Sequence, residues 1–153
     1  MNVRHDHVTV FVARRINDAW QLLQVRRRAD DYLGGTWQTV RGTIEAGETA
    51  VQTALRELRE ETGLVPIEFY TLGIVETFHI AAEDAMWHSP AFLAIVRPDA
   101  PIQFDAEHDA HRWIDLADAQ HAFMWPSERP LIEAIMREIF GNGLSKPLLL
   151  IRL

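Results

Sequence analysis

Three glutamates at helical spacing carry most of the chemistry this sequence can offer. Glu57, Glu60 and Glu61 stand at i, i+3 and i+4, so a helix through them projects all three carboxylates from one face. Like charges crowded in this way repel, and a hard divalent cation bound through oxygen is the usual remedy. Arg56 immediately precedes the group, and a loop holding Gly42, Gly47 and Glu48 lies ahead of it. The two glycines bracket that loop, where positive φ or a close backbone approach is tolerated. The stretch predicts a loop and a helix that present carboxylates to metal. The rest of the chain then serves as scaffold and as the pocket that selects what the metal acts on.

The elements that must position these residues can be read around them. Thr49 is placed to cap the helix, with Gln52 three residues on completing a capping box. The helix runs from about Ala50 to Glu61, with Val51, Ala54, Leu55 and Leu58 as the stripe that faces the core. Gly63 ends it and Pro66 blocks its continuation. Ahead of it, His7 to Arg14 and Trp20 to Val25 read as strands joined at Asn17-Asp18. Trp37 to Val40 is a short strand feeding the loop. Downstream, Pro66 to Ile80 is extended, as one strand or as two broken at Gly73. Met86 to Val96 is a strand entered past Pro90, and His111 to Ile114 is a shorter one. Asp115 is placed to cap a helix to Phe123, and Ser127 to cap a last helix of about Glu128 to Phe140. The apolar tail Leu144 to Leu153 is open to three assignments: a strand, a cover on the core or a homodimer contact.

Composition narrows the partners. The 153 residues suit one domain with a real core. The net charge of -7 argues against a nucleic-acid duplex. Local basic groups can still hold one small phosphorylated ligand; among Arg26, Arg27 and Arg28, Arg27 is the candidate for such a contact. With no cysteine there is no disulfide or thiolate metal site. The N-terminus lacks the apolar core of a secretory signal, and no apolar run reaches membrane-spanning length. The expected compartment is the cytoplasm, with no membrane partner.

The stretch matches the Nudix signature, G-x5-E-x7-R-E-U-x-E-E-x-G-U with U aliphatic, at Gly42, Glu48, Arg56, Glu57, Leu58, Glu60, Glu61, Gly63 and Leu64. Nine fixed positions over 23 residues make a specific signal. The chain therefore resembles the Nudix hydrolase family. The resemblance implies an α/β (α+β) Nudix fold: a mixed β-sheet sandwiched between helices with a loop-helix-loop motif, here as a single domain over residues 1–153. It implies Mg2+ (or Mn2+) as cofactor and attack of water on a diphosphate linkage. Carried over by position, Gly42 (through its carbonyl), Glu60 and Glu61 are implied metal ligands. Glu57 is a ligand or the general base, Arg56 orients a carboxylate, and Glu48 shapes the loop by salt bridging. A second acidic site is implied outside the signature, with Glu107 as candidate, Asp105 and Asp109 as alternatives, and His108 beside them.

The substrate is less constrained. Marks of ADP-ribose and dinucleoside polyphosphate hydrolases are absent near His79, Ile80 and Ala81. Within the family the chain resembles dihydroneopterin triphosphate pyrophosphohydrolases, which also act on dATP. That similarity rests on Trp37-Gln38-Thr39-Val40, Gly47-Glu48-Thr49-Ala50, Glu107-His108 with Trp113, and Trp125-Pro126-Ser127-Glu128-Arg129. It implies release of pyrophosphate from a triphosphate. Hydrolysis of a nucleotide sugar or other nucleoside diphosphate derivative is the alternative, and a metabolite-binding protein without catalysis the third reading. Arg41 stands where many relatives have glycine and is expected to contact phosphate. Trp37, Phe78, Trp87 and Trp125 are candidates to stack on a flat base, with Trp125 preferred for its loop position.

Overall fold

The computed structural model describes residues 1–153. Nine strands form one mixed sheet: β1 (Asn2–Arg4), β2 (His7–Ile16), β3 (Ala19–Arg27), β4 (Trp37–Gln38), β5 (Val40–Thr43), β6 (Glu68–Ile80), β7 (Ala85–Ile95), β8 (His108–Asp115) and β9 (Leu150–Ile151). The main path runs β4-β3-β2-β7-β6-β9, with β1 beside β7, β5 beside β2 and β8 beside β3. β2 and β1 pair with β7 in parallel, and the remaining pairings are antiparallel.

Alternation along β2 explains the layers. Val8, Val10 and Val12 enter one core, Phe11 and Ala13 the other, and all are buried. A strand covered on both faces reads as a continuous apolar run, as this one does. Helix α1 (Ala50–Thr62) covers the Val10 face through Ala54 and Leu58, with Val51 and Leu55 packed at the margin. The Phe11 face is covered by α2 (Ala119–Ala122) and α3 (Arg129–Ala134), through Phe123, Leu131 and Ile132. The chain continues past α3 as a π-helical segment, Ile135–Phe140, which buries Ile135 and Ile139.

Local chemistry sets the turns. Asn17 and Asp18 both adopt left-handed backbone, φ 50° and 62°, the conformation of a two-residue hairpin turn. The Thr49 side chain accepts the Gln52 N–H at 3.2 Å and the Gln52 side chain accepts the Thr49 N–H at 2.9 Å. Gly63, at φ 72°, closes α1 by donating to the Arg59 carbonyl. β6 is one strand rather than two. Its register with β7 shifts between Thr71 and Val75, around Gly73 at φ 66°, so a bulge replaces the break.

Three expectations are corrected. Pro90 lies inside β7, not at its entry, and pairs with Val75 where the bulge has already shifted the register. Asp115 does not cap a helix; its carboxylate accepts from Gln21, and a 3-10 turn (Leu116–Asp118) precedes α2. Ser127 does not cap the last helix, because its hydroxyl donates to Glu76 at 2.7 Å. In both cases a partner distant in sequence outcompetes the local backbone.

The tail forms a short helix, α4 (Lys146–Leu149), followed by β9, which pairs with Phe69 and Tyr70 at the sheet edge. Leu149 and Ile151 pack against the two cores, while Leu144, Leu148 and Leu153 stay exposed. No helix is long and apolar enough to cross a membrane.

The capping box gives a first test. Thr49→Ala removes the side-chain acceptor of the first helical turn and is expected to lower unfolding free energy by about 1 kcal/mol. The readout is the urea midpoint at constant m-value.

Candidate active site

Arg56 organises the acids of α1. Its guanidinium donates to Glu48 through Nε at 2.7 Å and Nη2 at 2.9 Å, to Glu57 at 2.9 Å and to Glu60 at 3.1 Å. Nη2 also reaches the Thr43 carbonyl at 3.1 Å, which ties the loop to the helix. Glu48 takes a further bond from Thr53 at 2.7 Å. These bonds, led by the one from Arg56, hold the Glu48 carboxyl down at about 2. Arg56 is correspondingly held above its ordinary range, chiefly by Glu48. One cation thus braces three acids, and Glu48 shapes the loop as a fixed anion.

Glu57 lies directly under Gly42. A Cβ on Gly42 would fall 2.1–2.2 Å from the Glu57 carboxyl and its neighbouring carbon, so any larger residue there displaces the Glu57 side chain from its present position. Burial pushes the half-buried Glu57 carboxyl up, and Glu60 and Glu107 add to the rise while Arg56 opposes it. Glu61 is 5% exposed and accepts the Arg41 N–H on Oε2 at 3.3 Å. Burial raises its carboxyl well above the ordinary range, and the charges of Glu57, Asp105 and Glu107 push the same way. Glu60 is the exposed member, with 55% of its side chain accessible.

The segment from Gln103 to His108 brings further acids to Glu61. The Gln103 N–H donates to the Thr62 carbonyl at 2.8 Å, and the Arg28 N–H to the Glu107 carbonyl at 2.9 Å. The acidic loop is thereby stitched between the end of α1 and the end of β3. One ligand atom from each of Glu61, Asp105, Glu107 and His108 lies within 4.8 Å of the others. Asp105 Oδ1 accepts from the Glu107 N–H at 3.0 Å and sits 2.9 Å from His108 Nδ1. The second ring nitrogen of the buried His108 is 3.9 Å from Glu61. Of the three acidic candidates, Glu107 and Asp105 reach the cluster; Asp109 turns away to Arg26 at 2.9 Å.

The group whose ligand atoms lie close enough to share a divalent cation is Glu61, Asp105, Glu107 and His108; Glu57 and Glu60 lie outside it, next along α1. Glu57 Oε1, Glu60 Oε2 and Glu61 Oε2 are each engaged by a fixed donor. The opposite oxygen of each has no hydrogen-bond donor in the fold. Each of the three carboxylates thus has one oxygen engaged by the scaffold and one unengaged, and clustered negative charge of this kind favours a counter-ion.

The proposed substrate contacts fare differently. Arg27 donates to Asp31 at 2.7 Å and stands 3.9 Å from Glu107, so it sits at the acidic loop already paired. Trp125 is half-buried where the chain enters α3, its N–H donating to Glu128. Trp37 carries Arg112 over its ring at 4.3 Å, and Trp87 stacks with Phe78.

Arg41 is a correction. Val40 faces α1, so strand alternation turns Arg41 to the opposite face. There its guanidinium makes a bidentate pair with Glu76, at 2.6 and 2.9 Å, and a 3.1 Å bond to Thr9. It is bound to protein carboxylate rather than aimed at the metal loop. Burial works against its charge, but Glu76, then Glu128 and Glu61, hold it above its ordinary range.

Sequence reasoning missed Glu76 and Glu128, both about 1% exposed. The available signal was Arg41 itself: a long cation where relatives carry glycine needs a counter-ion. Burial pushes the Glu128 carboxyl up to about 7, Arg41 lowers it and Glu76 raises it; its Oε2 has no hydrogen-bond partner.

A Nudix domain model matches residues 4–135, and this chain belongs to the Nudix family. The dihydroneopterin triphosphate diphosphatase of Escherichia coli (strain K12) is 30% identical over 137 residues, covering 82% of this chain and 89% of that protein. An octanoyltransferase of Myxococcus xanthus is 37% identical over 113 residues, 73% of this chain. This chain spans only 31% of that protein's length. Among solved structures, a C. elegans Ap4A hydrolase binary complex superposes with TM-score 0.74 at 19% identity, over 92% of this chain and 99% of that one. At that identity the superposition establishes the fold.

Two predictions follow from this geometry. Gly42→Ala drives a methyl group into Glu57, and Mn2+ affinity measured by calorimetry is expected to fall roughly 10–100-fold, as for loss of a group that orients a ligand. Glu128 binds a proton more tightly folded than unfolded, so its contribution to stability is lost as pH rises from its ordinary 4.5 to about 7. Glu128→Gln keeps the acceptor for the Trp125 N–H and removes the titration. It is expected to stabilise the protein at pH 8 by about 1–3 kcal/mol more than at pH 5, by urea denaturation at the two pH values.

Proposed function

We propose that this chain, as a single domain over residues 1–153, is a metal-dependent hydrolase of phosphoric anhydrides. It acts on a nucleoside triphosphate or a pterin triphosphate and releases pyrophosphate. The observation that carries the reading is the set of unengaged oxygens on Glu57, Glu60 and Glu61, each opposite an oxygen held by Arg56 or by the Arg41 N–H. The similarity to a dihydroneopterin triphosphate diphosphatase over 82% of the chain supports the choice of a triphosphate.

The Gly42 carbonyl, Glu60, Glu61 and Glu107 are the proposed holders of Mg2+ or Mn2+, and Glu57 is the proposed general base. A bound divalent cation supplies charge neutralisation of the diphosphate and acidification of a water molecule. The chain's own residues do the rest. Glu57, raised by burial, accepts the proton of the attacking water as its oxygen bonds to phosphorus. The phosphorus bond to the bridging oxygen breaks and pyrophosphate leaves. Arg56 keeps Glu57 and Glu60 from swinging apart, and Glu48, bound to Arg56 through both oxygens, fixes the guanidinium. Trp125 and Arg27 remain the proposed substrate contacts, at the mouth of α3 and beside Glu107 respectively.

A substrate panel with Mg2+, read by product identity, tests the proposal. Pyrophosphate and a monophosphate are expected from dATP or dihydroneopterin triphosphate. Glu60→Gln and Glu61→Gln are expected to reduce kcat at least about 100-fold, the scale of removing one electrostatic catalytic group. A nucleoside monophosphate plus a sugar phosphate would instead favour the nucleotide-sugar reading. Turnover equal in wild type and both variants would overturn the assignment.

A further inference from the structure

We infer that Glu76, on the sheet face opposite α1, is a positioning residue for the acidic site, acting through Arg41 on the Glu61 and Glu57 carboxylates. The inference deepens the proposed function and rests on its metal-binding reading.

Strand β5 is four residues long and pairs with one strand only, β2. An edge strand so short is weakly anchored by its backbone alone. Yet two of its consecutive residues contact two acids of the site. The Arg41 N–H donates to Glu61 at 3.3 Å, and Gly42 abuts the Glu57 carboxyl. A small lateral shift of β5 moves both contacts together.

The missing anchor is on the other face. The Arg41 side chain passes over Thr9 of β2 to a bidentate pair with Glu76 of β6, two strands beyond β2 in the sheet. Glu76 is itself held from three directions. Besides Arg41 it accepts the Thr9 hydroxyl at 2.6 Å and the Ser127 hydroxyl at 2.7 Å, and its side chain is fully buried. A bidentate guanidinium-carboxylate pair fixes orientation as well as distance. The pair clamps β5 across the sheet and fastens it to the segment that enters α3. Glu128, 3.9 Å from the Arg41 Nη2, completes the charged surroundings of the clamp. Phe78 flanks it, with the guanidinium carbon 5.7 Å from the ring centre.

Nothing in this arrangement requires Glu76 to touch substrate or metal. Its effect travels through one backbone: side chain to Glu76 on one face, N–H to Glu61 on the other. Loss of the clamp therefore degrades the acidic site and leaves its ligands in the sequence.

A double-mutant cycle in Mn2+ affinity tests this, with Glu76→Gln, Glu61→Gln and the double variant measured by calorimetry without substrate. Glu76→Gln is expected to weaken Mn2+ binding roughly 10-fold, within the range for a group that orients a ligand. The same substitution in a Glu61→Gln background is expected to cost less than 3-fold, because the route to Glu61 is already cut. Equal losses in both backgrounds, or Mn2+ binding by folded Glu76→Gln within 2-fold of wild type, would overturn the inference. Should Glu76→Gln fail to fold, Thr9→Val takes its place in the cycle. It removes one bond to Glu76 and one from Arg41 without orphaning a charge, and the same non-additivity is expected. Wild-type Mn2+ binding without turnover of any diphosphate compound would refute the proposed reaction while leaving the cycle to decide the clamp.

Discussion

Repulsion among buried and half-buried carboxylates is the constraint on which the rest of this molecule depends. Glu57 and Glu61 are pushed up by burial and by each other's neighbours, and Glu60, Asp105 and Glu107 crowd the same region. A fold that holds such a cluster must supply fixed donors without neutralising it. Arg56 does so for Glu57 and Glu60, and a backbone N–H does so for Glu61. Each donor takes one oxygen and leaves the other. A chain that paired both oxygens would be more comfortable and could bind no cation.

The sheet makes this affordable by dividing labour between its faces. The α1 face carries the acids against an apolar core of Val8, Val10, Val40, Ala54 and Leu58. The opposite face carries a separate charged cluster in which Arg41 meets Glu76 and Glu128. Burying a pair of charges is rarely a net gain in stability, and breaking one is costly. The pair is better understood through what it holds: a short edge strand whose backbone faces the site. Glu128 is the strained member, since one guanidinium cannot serve two buried carboxylates. Burial, with the Glu76 charge adding to it, raises its carboxyl to about 7 against the pull of Arg41.

Much was legible in sequence because it depended on local spacing. The capping box at Thr49 and Gln52, the glycine stop at Gly63 and the hairpin at Asn17-Asp18 involve residues a few positions apart. The joint placement of Glu57, Glu60 and Glu61 follows from helical geometry alone. The resemblance pointed to an acid outside the signature, with Glu107 as candidate and Asp105 and Asp109 as alternatives; that Glu107 and Asp105 both approach Glu61, and by what route, was not legible. That route runs through two backbone bonds, from Gln103 to Thr62 and from Arg28 to Glu107. Three of the failures share a cause. Asp115, Ser127 and Arg41 were each assigned a role from immediate surroundings, and each found a partner far away in sequence: Gln21, Glu76 and again Glu76.

The sequence by itself determined that this chain carries a loop and a helix presenting carboxylates from one face, because helical periodicity and glycine requirements act over a few residues. It also determined the family, through nine positions of fixed spacing. Tertiary structure alone decided how Glu61 is held, because its donor, the Arg41 N–H, is brought from β5, whereas Arg56 reaches Glu57 and Glu60 within the helix. It alone turned Arg41 away from the acids, since strand alternation assigns a face only once the sheet's two cores are known. And it alone revealed Glu76 as the other end of that side chain, because two strands of a sheet separate residues that no local pattern connects.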